Sequence, residues 1–243
     1  MICKNCGNDF EGKYCNQCGQ KFTGARFTLK DIIHNFFHHF THLDSGIFFL
    51  AKELYVKPGI VAKEYIEGKR NKYFNPFQYL IIIVAISMFI TINFKLFGPS
   101  PDLSQLASPD NGIRFSANMK YFFYKYFNLV LFLSVPVSAL FSWMFFRKSG
   151  YNYAENLIFN TFIAAQRTLT FILLSPFLYF FRKYWYIGVG FYYIFWLIYF
   201  IYAFIQFFGE KKVITIFKFI IMYCLLIAVV QASAMAIVYI FYY

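Results

Sequence analysis

The stretch Lys57–Leu80, KPGIVAKEYIEGKRNKYFNPFQYL, joins two unlike halves of the chain. Before it lies a polar segment bearing cysteines and histidines; after it the chain is apolar almost to Tyr243. Within it, Lys57-Pro58-Gly59 stops one helix and Pro58 opens another, because proline fits the first turn of a helix but not its interior. Gly68 closes that short helix, Ile60 to Glu67, by taking a left-handed conformation. Lys69, Arg70 and Lys72 then form a basic collar. Asn75-Pro76 marks the turn into the membrane, with Phe74, Phe77 and Tyr79 as interfacial aromatics. The collar reads either as a topology signal or as a phosphate site for lipid or ligand, with Lys69 and Arg70 as candidates.

Working outward, the 243 residues are 60% hydrophobic, 25% aromatic and only 14% charged, with a mean hydropathy of +0.51. That is not the composition of an ordinary soluble domain. A spanning helix needs about 20 apolar residues, and five such runs are read, at about 77–97, 127–146, 156–181, 184–208 and 214–241. The joints are short except Gly98 to Tyr126, where proline, glycine and aspartate mark a polar excursion. The expected fold is therefore an all-α polytopic membrane protein of about five spans. Residues 1–24 would form a zinc ribbon, 25–76 a cytoplasmic amphipathic arm and basic joint, and 77–243 the bundle.

The formal net charge is +12, with 11 of the 23 basic residues before Pro76 against 7 acids there. In a helical membrane chain this fits membrane orientation and anionic headgroups better than nucleic acid. No signal peptide precedes Cys3 and five basic residues lie between Lys57 and Lys72, so the expectation is an inner-membrane protein with its N-terminus cytoplasmic and, after five spans, its C-terminus on the opposite side.

Cys3-Lys4-Asn5-Cys6-Gly7 and Cys15-Asn16-Gln17-Cys18-Gly19 are two copies of CxxCG. The two-residue gap lets both sulfurs of a pair reach one ion, and four thiolates satisfy tetrahedral zinc; iron or a redox dithiol pair is the alternative. So small a segment has no core, and metal binding would supply its folding energy, which makes the site structural rather than catalytic.

Thr28-Leu29-Lys30-Asp31 reads as a capping box opening a helix with Leu29, Ile32, Ile33, Phe36, Phe37, Phe40 and Leu43 on one face. His34, His38 and His42 fall on the other face at i+4 steps. They read either as a second metal or pH-sensing face or as an incidental polar face over the bilayer.

Together the paired CxxCG motifs, Phe27-Thr28-Leu29-Lys30-Asp31, Phe40-Thr41-His42-Leu43-Asp44-Ser45-Gly46 and above all Lys57-Pro58-Gly59 to Asn75-Pro76 resemble the DUF3667 family. The resemblance implies a bacterial membrane protein with a zinc-ribbon start and no established activity. It covers residues 3 to about 80. In that family a segment like Tyr153-Ala154-Glu155-Asn156 often carries His after Glu, and here the position is Asn156.

Arg167 stands out within the third run. A charge at that depth costs about 2.5–3.5 kcal/mol on insertion scales, so it should face protein or water. Asn156, Asn160, Arg167 and Thr170 share a helical stripe. No carboxylate in a span is placed to pair with it, leaving Gln206, Gln231 and carbonyls freed by Pro136 as neutral partners. The stripe reads as a site for an anion, a lipid phosphate or a carboxylate solute, or as a snorkelling or carbonyl-bonded structural arginine. No HExxH, paired-carboxylate or nucleophile-plus-base pattern points to catalysis. The expected function is that of a binding or assembly protein meeting a protein partner through the ribbon and arm; the runner-up is a transporter or channel for an anionic solute or lipid, using Arg167.

Overall fold

The computed structural model describes residues 1–20, 22, 28, 29, 46–94, 104, 106, 108, 110–181 and 184–242. Among these are seven α-helices: α1 Gly46–Val56, α2 Pro58–Glu67, α3 Pro76–Phe94, α4 Asn111–Phe145, α5 Tyr153–Phe180, α6 Trp185–Phe208 and α7 Lys212–Tyr242. Among the described residues Ile2 pairs with Asp9 in an isolated bridge, and Tyr14 takes part in another. The fold is all-helical, and α3 to α7 are each long and apolar enough to cross a membrane.

Helix α5 is the axis of the bundle. Of its most apolar window 67% is buried inside the protein, against 17–33% in the other four long helices. It packs on α1, α2, α3, α4 and α6. Its start is fixed by a capping box: Asn152 Oδ1 accepts from Glu155 N at 2.9 Å, and Glu155 Oε2 accepts from Asn152 N at 2.8 Å, which satisfies two donors that a helix start leaves open. Aromatic rings fill its contact with α6. Phe159 stacks on Phe207 with centroids 4.1 Å apart, and Phe146 from the end of α4 stacks on Phe208 at 4.0 Å. On the outer faces of α3, α6 and α7, Phe89, Phe191, Phe217 and Ile240 are exposed, as lipid-facing side chains would be. Cys224 is exposed on α7 as well.

Three expectations change. Residues 25–76 were read as a cytoplasmic amphipathic arm and basic joint; the helical face from Ile32 to Leu43 and the histidines His34, His38 and His42 lie outside the described residues. Of the rest, α1 and α2 form a hairpin packed into the bundle, with Leu50, Leu54, Val61 and Ala62 fully buried among residues of α5 and α6. Tyr79, expected at the interface, is buried too, and donates to Gln166 Oε1 at 2.9 Å. Lastly, the excursion to Tyr126 is helical from Asn111 on. Asp110 caps α4 by accepting from Ile113 N at 2.9 Å. The 35 residues of α4 would extend about 52 Å at 1.5 Å per residue, well beyond a hydrocarbon core of about 30 Å. Its first turns pack Phe115, Phe122 and Tyr126 against Ala234 and Val238 near the end of α7.

The hairpin is held by polar groups reaching to its backbone. A helix end leaves its last carbonyls open; Tyr199 donates to Leu54 O at 2.8 Å and Tyr202 to Val56 O at 2.9 Å. Gln166 Nε2 bonds Ala51 O at 3.1 Å, and Gly59 N donates to Gln206 Oε1 at 3.1 Å. Gly59 touches α6 so closely that a Cβ would lie 2.5 Å from both Gln206 Cβ and Phe207 N. Gly68 ends α2 at φ 119°, as the sequence implies.

Candidate metal centre and buried arginine

Each CxxCG motif folds as a tight turn. Gly7 N donates to Cys3 O and Gly19 N to Cys15 O, both at 2.9 Å, and both glycines sit at positive φ, 76° and 69°, which a side chain resists. The turns bring the four sulfurs together. Cys3 and Cys18 Sγ are 3.6 Å apart, as are Cys6 and Cys15 Sγ, and all four lie within 4.8 Å of one another. A tetrahedron with Zn–S bonds of about 2.3 Å places its sulfurs about 3.8 Å apart, so the donor set fits a four-thiolate ion. The thiols are not equivalent. The N–H of Cys6 lowers Cys3, and the N–H of Cys18, opposed by burial, brings Cys15 down to about 6. For Cys6 the N–H of Asn8 favours the thiolate, but burial and the three other cysteines outweigh it and push the thiol up to about 12. A cation is what would let all four ionise together.

The cysteine unit docks on the joint through a residue that the sequence reading passed over. Gln20 Nε2 donates to Gly68 O at 2.5 Å, while its Oε1 accepts from Arg70 N at 3.2 Å and Asn71 N at 3.3 Å. Asn71 Nδ2 returns a bond to Cys18 O at 2.7 Å. Nothing in the residue types announces this latch; Gln20 follows the second CxxCG as an ordinary polar residue.

The collar is internally neutralised in part. Glu64 takes Lys69 at 3.0 Å, Lys72 at 2.7 Å and the hydroxyl of Tyr73 at 2.5 Å. Burial works against the Glu64 carboxylate, but these donors outweigh it and hold its pKa at about 2. Lys69 is thus engaged by a carboxylate, and the backbone N–H of Arg70 by Gln20.

Arg167 lies elsewhere, on the side of α5 facing α4, α6 and α7. It lines a cavity of about 30 Å³ with Asn160, Ser134, Ser138 and Tyr223 among its walls. Arg167 Nε is buried with no hydrogen-bond partner. The expected neutral partners do not reach it: Gln206 is taken by Gly59, Gln231 is exposed on α7, and Arg167 Nε finds no carbonyl. The stripe divides. Asn160 is at the cavity, while Asn156 sits a turn away, buried and accepting from Ser142 Oγ at 3.0 Å. Thr170 bonds Tyr55 at 2.5 Å. Arg167 and Asn160 therefore share one site, and Lys69 and Arg70 belong to the joint.

The joint, the hairpin and the first turns of α3 are also where the chain finds a counterpart among known proteins. Residues 44–88 match the DUF3667 family model, described as a protein of unknown function. The resemblance read from the joint is shown over that segment. The DUF3667 segment takes in α1, α2, the collar and most of α3, and stops short of both the cysteines and Arg167. No curated protein and no solved structure matches the chain.

Proposed function

We propose that this chain is a multi-pass inner-membrane protein that binds or assembles a protein partner at its cytoplasmic face, through a zinc-bearing head seated on the hairpin of the DUF3667 segment. The observation that carries the reading is the latch: Gln20 and Asn71 tie the four-cysteine unit to the end of α2 and to the collar. A closed set of four sulfurs leaves no coordination position for substrate, which is the mark of a structural rather than a catalytic ion. The basic flank from Lys57 to Lys72 supports a cytoplasmic placement of this end. Transport of an anion past Arg167 is the weaker reading, because a cavity of about 30 Å³ has room for about two water-sized atoms.

The experiment is photo-crosslinking in cells from Tyr14, exposed on the head, in the full chain and in its Cys15→Ser and Gln20→Ala variants. The proposal expects one discrete protein adduct that both variants lose while the chain stays in the membrane. An absence of protein adducts, or an adduct indifferent to both variants, would sink it.

A further inference from the structure

The cavity on α5 is a separate feature from the cysteine head, and it presents a charge that the rest of the fold leaves unanswered. Arg167 is the fifteenth residue of α5, roughly 20 Å along the helix axis from Tyr153 at 1.5 Å per residue. No hydrogen bond or ion pair to its guanidinium is found among the described residues, and its Nε is buried without a partner. The four ion pairs between side chains of described residues all lie elsewhere: Glu53 with Lys57, Glu64 with Lys69 and Lys72, and Glu210 with Lys218.

The walls are already committed to one another. Asn160 Nδ2 donates to Ser142 Oγ at 2.9 Å and to Asn156 O at 2.8 Å, and its Oδ1 accepts from Ser138 Oγ at 2.7 Å. Ser134 donates to Leu131 O at 2.7 Å. These bonds fix the cavity's polar side and leave the guanidinium as its charged donor. The opposite side is apolar: Phe200, Phe204, Phe219 and Met222 line it. A guanidinium fork lining such a cavity suits a planar pair of oxygens, since two parallel N–H···O bonds to a carboxylate or phosphate satisfy its geometry and charge at once. The volume, about 30 Å³, suits two oxygen atoms and not a whole solute.

We infer that the Arg167 cavity binds the oxyanion end of an amphiphilic or small organic anion, a carboxylate or a lipid phosphodiester, with two oxygens against the guanidinium and the remainder of the molecule outside the cavity among the helices. Ser134, Ser138 and Asn160 shape the cavity. Bound, the anion supplies the counter-ion that Arg167 lacks among the described residues; unbound, that charge weakens the bundle.

The test is the thermal unfolding of the purified full chain, compared with Arg167→Gln and Arg167→Lys. One arm uses an uncharged detergent with acetate or laurate against matched chloride; the other uses nanodiscs of phosphatidylcholine with or without phosphatidylglycerol. Wild type is expected to gain about 5 °C or more near saturation, the size that ligand linkage gives at a hundredfold excess over Kd. Arg167→Gln should not respond to either probe and should unfold at or above the wild-type temperature in their absence, and Arg167→Lys should keep a smaller response. A response to the carboxylates alone assigns a free acid, and a response to phosphatidylglycerol alone assigns a lipid phosphate. No response in wild type, or equal responses in wild type and Arg167→Gln, overturns the inference. An Arg167→Gln chain that fails to fold beside an unresponsive wild type and Arg167→Lys does so too, because that is the behaviour of an arginine used only as a strut.

Discussion

Residues 1–20 bury Cys3, Phe10, Cys15 and Gln20, whereas α5 alone buries sixteen residues from Ala154 to Leu178. The head has almost no apolar interior; it brings four sulfurs together in a set that fits a metal ion, and it bonds to its neighbour through Gln20 and Asn71. The bundle is ordered by packing, with polar groups admitted where they bond one another or close helix ends. The α1–α2 hairpin belongs to the second kind although its sequence looks like the first. It carries Lys52, Glu53, Lys57, Lys63 and Glu64, yet its fully buried Leu50, Leu54, Val61 and Ala62 place it inside the bundle. A short helix can thus carry several charges and still be core, if its apolar residues meet a partner and its backbone ends are satisfied.

The sharpest way to separate the two regions is to remove the ion. Replacing Cys15 with Ser, or chelating the purified protein, should unfold residues 1–20 outright, since structural zinc is worth about 10–16 kcal/mol in small metal-folded units. Protease cleavage within the head should follow, with the helical signal of α3 to α7 unchanged. Cleavage unaffected by chelation would mean that the head has another source of order.

A smaller effect is expected in the bundle from Gly59→Ala. Its Cβ would meet Gln206 Cβ and the backbone of Phe207 at 2.5 Å and Ala203 O at 2.8 Å, and overpacking of this kind costs about 1–3 kcal/mol. The melting temperature should fall while zinc content stays the same. Weaker again is Gln20→Ala, which leaves Gly68 O, Arg70 N and Asn71 N without their partner. A loss of about 1–2 kcal/mol should appear as faster cleavage at the joint, with both zinc and bundle retained.

The smallest effect concerns acid. Glu64 is held at about 2 in the folded chain against about 4.3 unfolded. Its contribution is therefore present above pH 4.3 and lost as pH falls toward 2. Lys69 and Lys72 are more than a third exposed, so screening limits the stake to about 1 kcal/mol or less. Glu64→Gln should flatten that part of the acid profile, read by the rate of cleavage at the joint.

Much of this was legible in the sequence because it depends on local pattern. CxxCG spacing, Pro58 and Gly68 around a short helix, Asn75-Pro76 before α3, and the long apolar runs each specify geometry within a few residues. The extension of α4 was also written there, in Phe115, Met119, Phe122, Tyr126 and Val130 at helical spacing, but Arg114, Asn118, Lys120 and Lys125 between them lowered the hydropathy and hid it. What could not be read was long-range. The bond from Gln20 to Gly68 spans 48 positions and that from Tyr199 to Leu54 spans 145, and no residue type signals such pairs. Depth was hidden for the same reason. Tyr79 looks like an interfacial aromatic until Gln166 is found beside its hydroxyl.

Hydrogen exchange of the full chain in detergent, with and without a chelator, tests most directly the claim that packing holds the hairpin and metal holds the head. The account predicts slow exchange across Leu50–Tyr65 in both conditions, with protection of Cys3–Gln20 lost on chelation. Fast exchange in α1 and α2 before chelation, or loss of their protection together with the head, would contradict it.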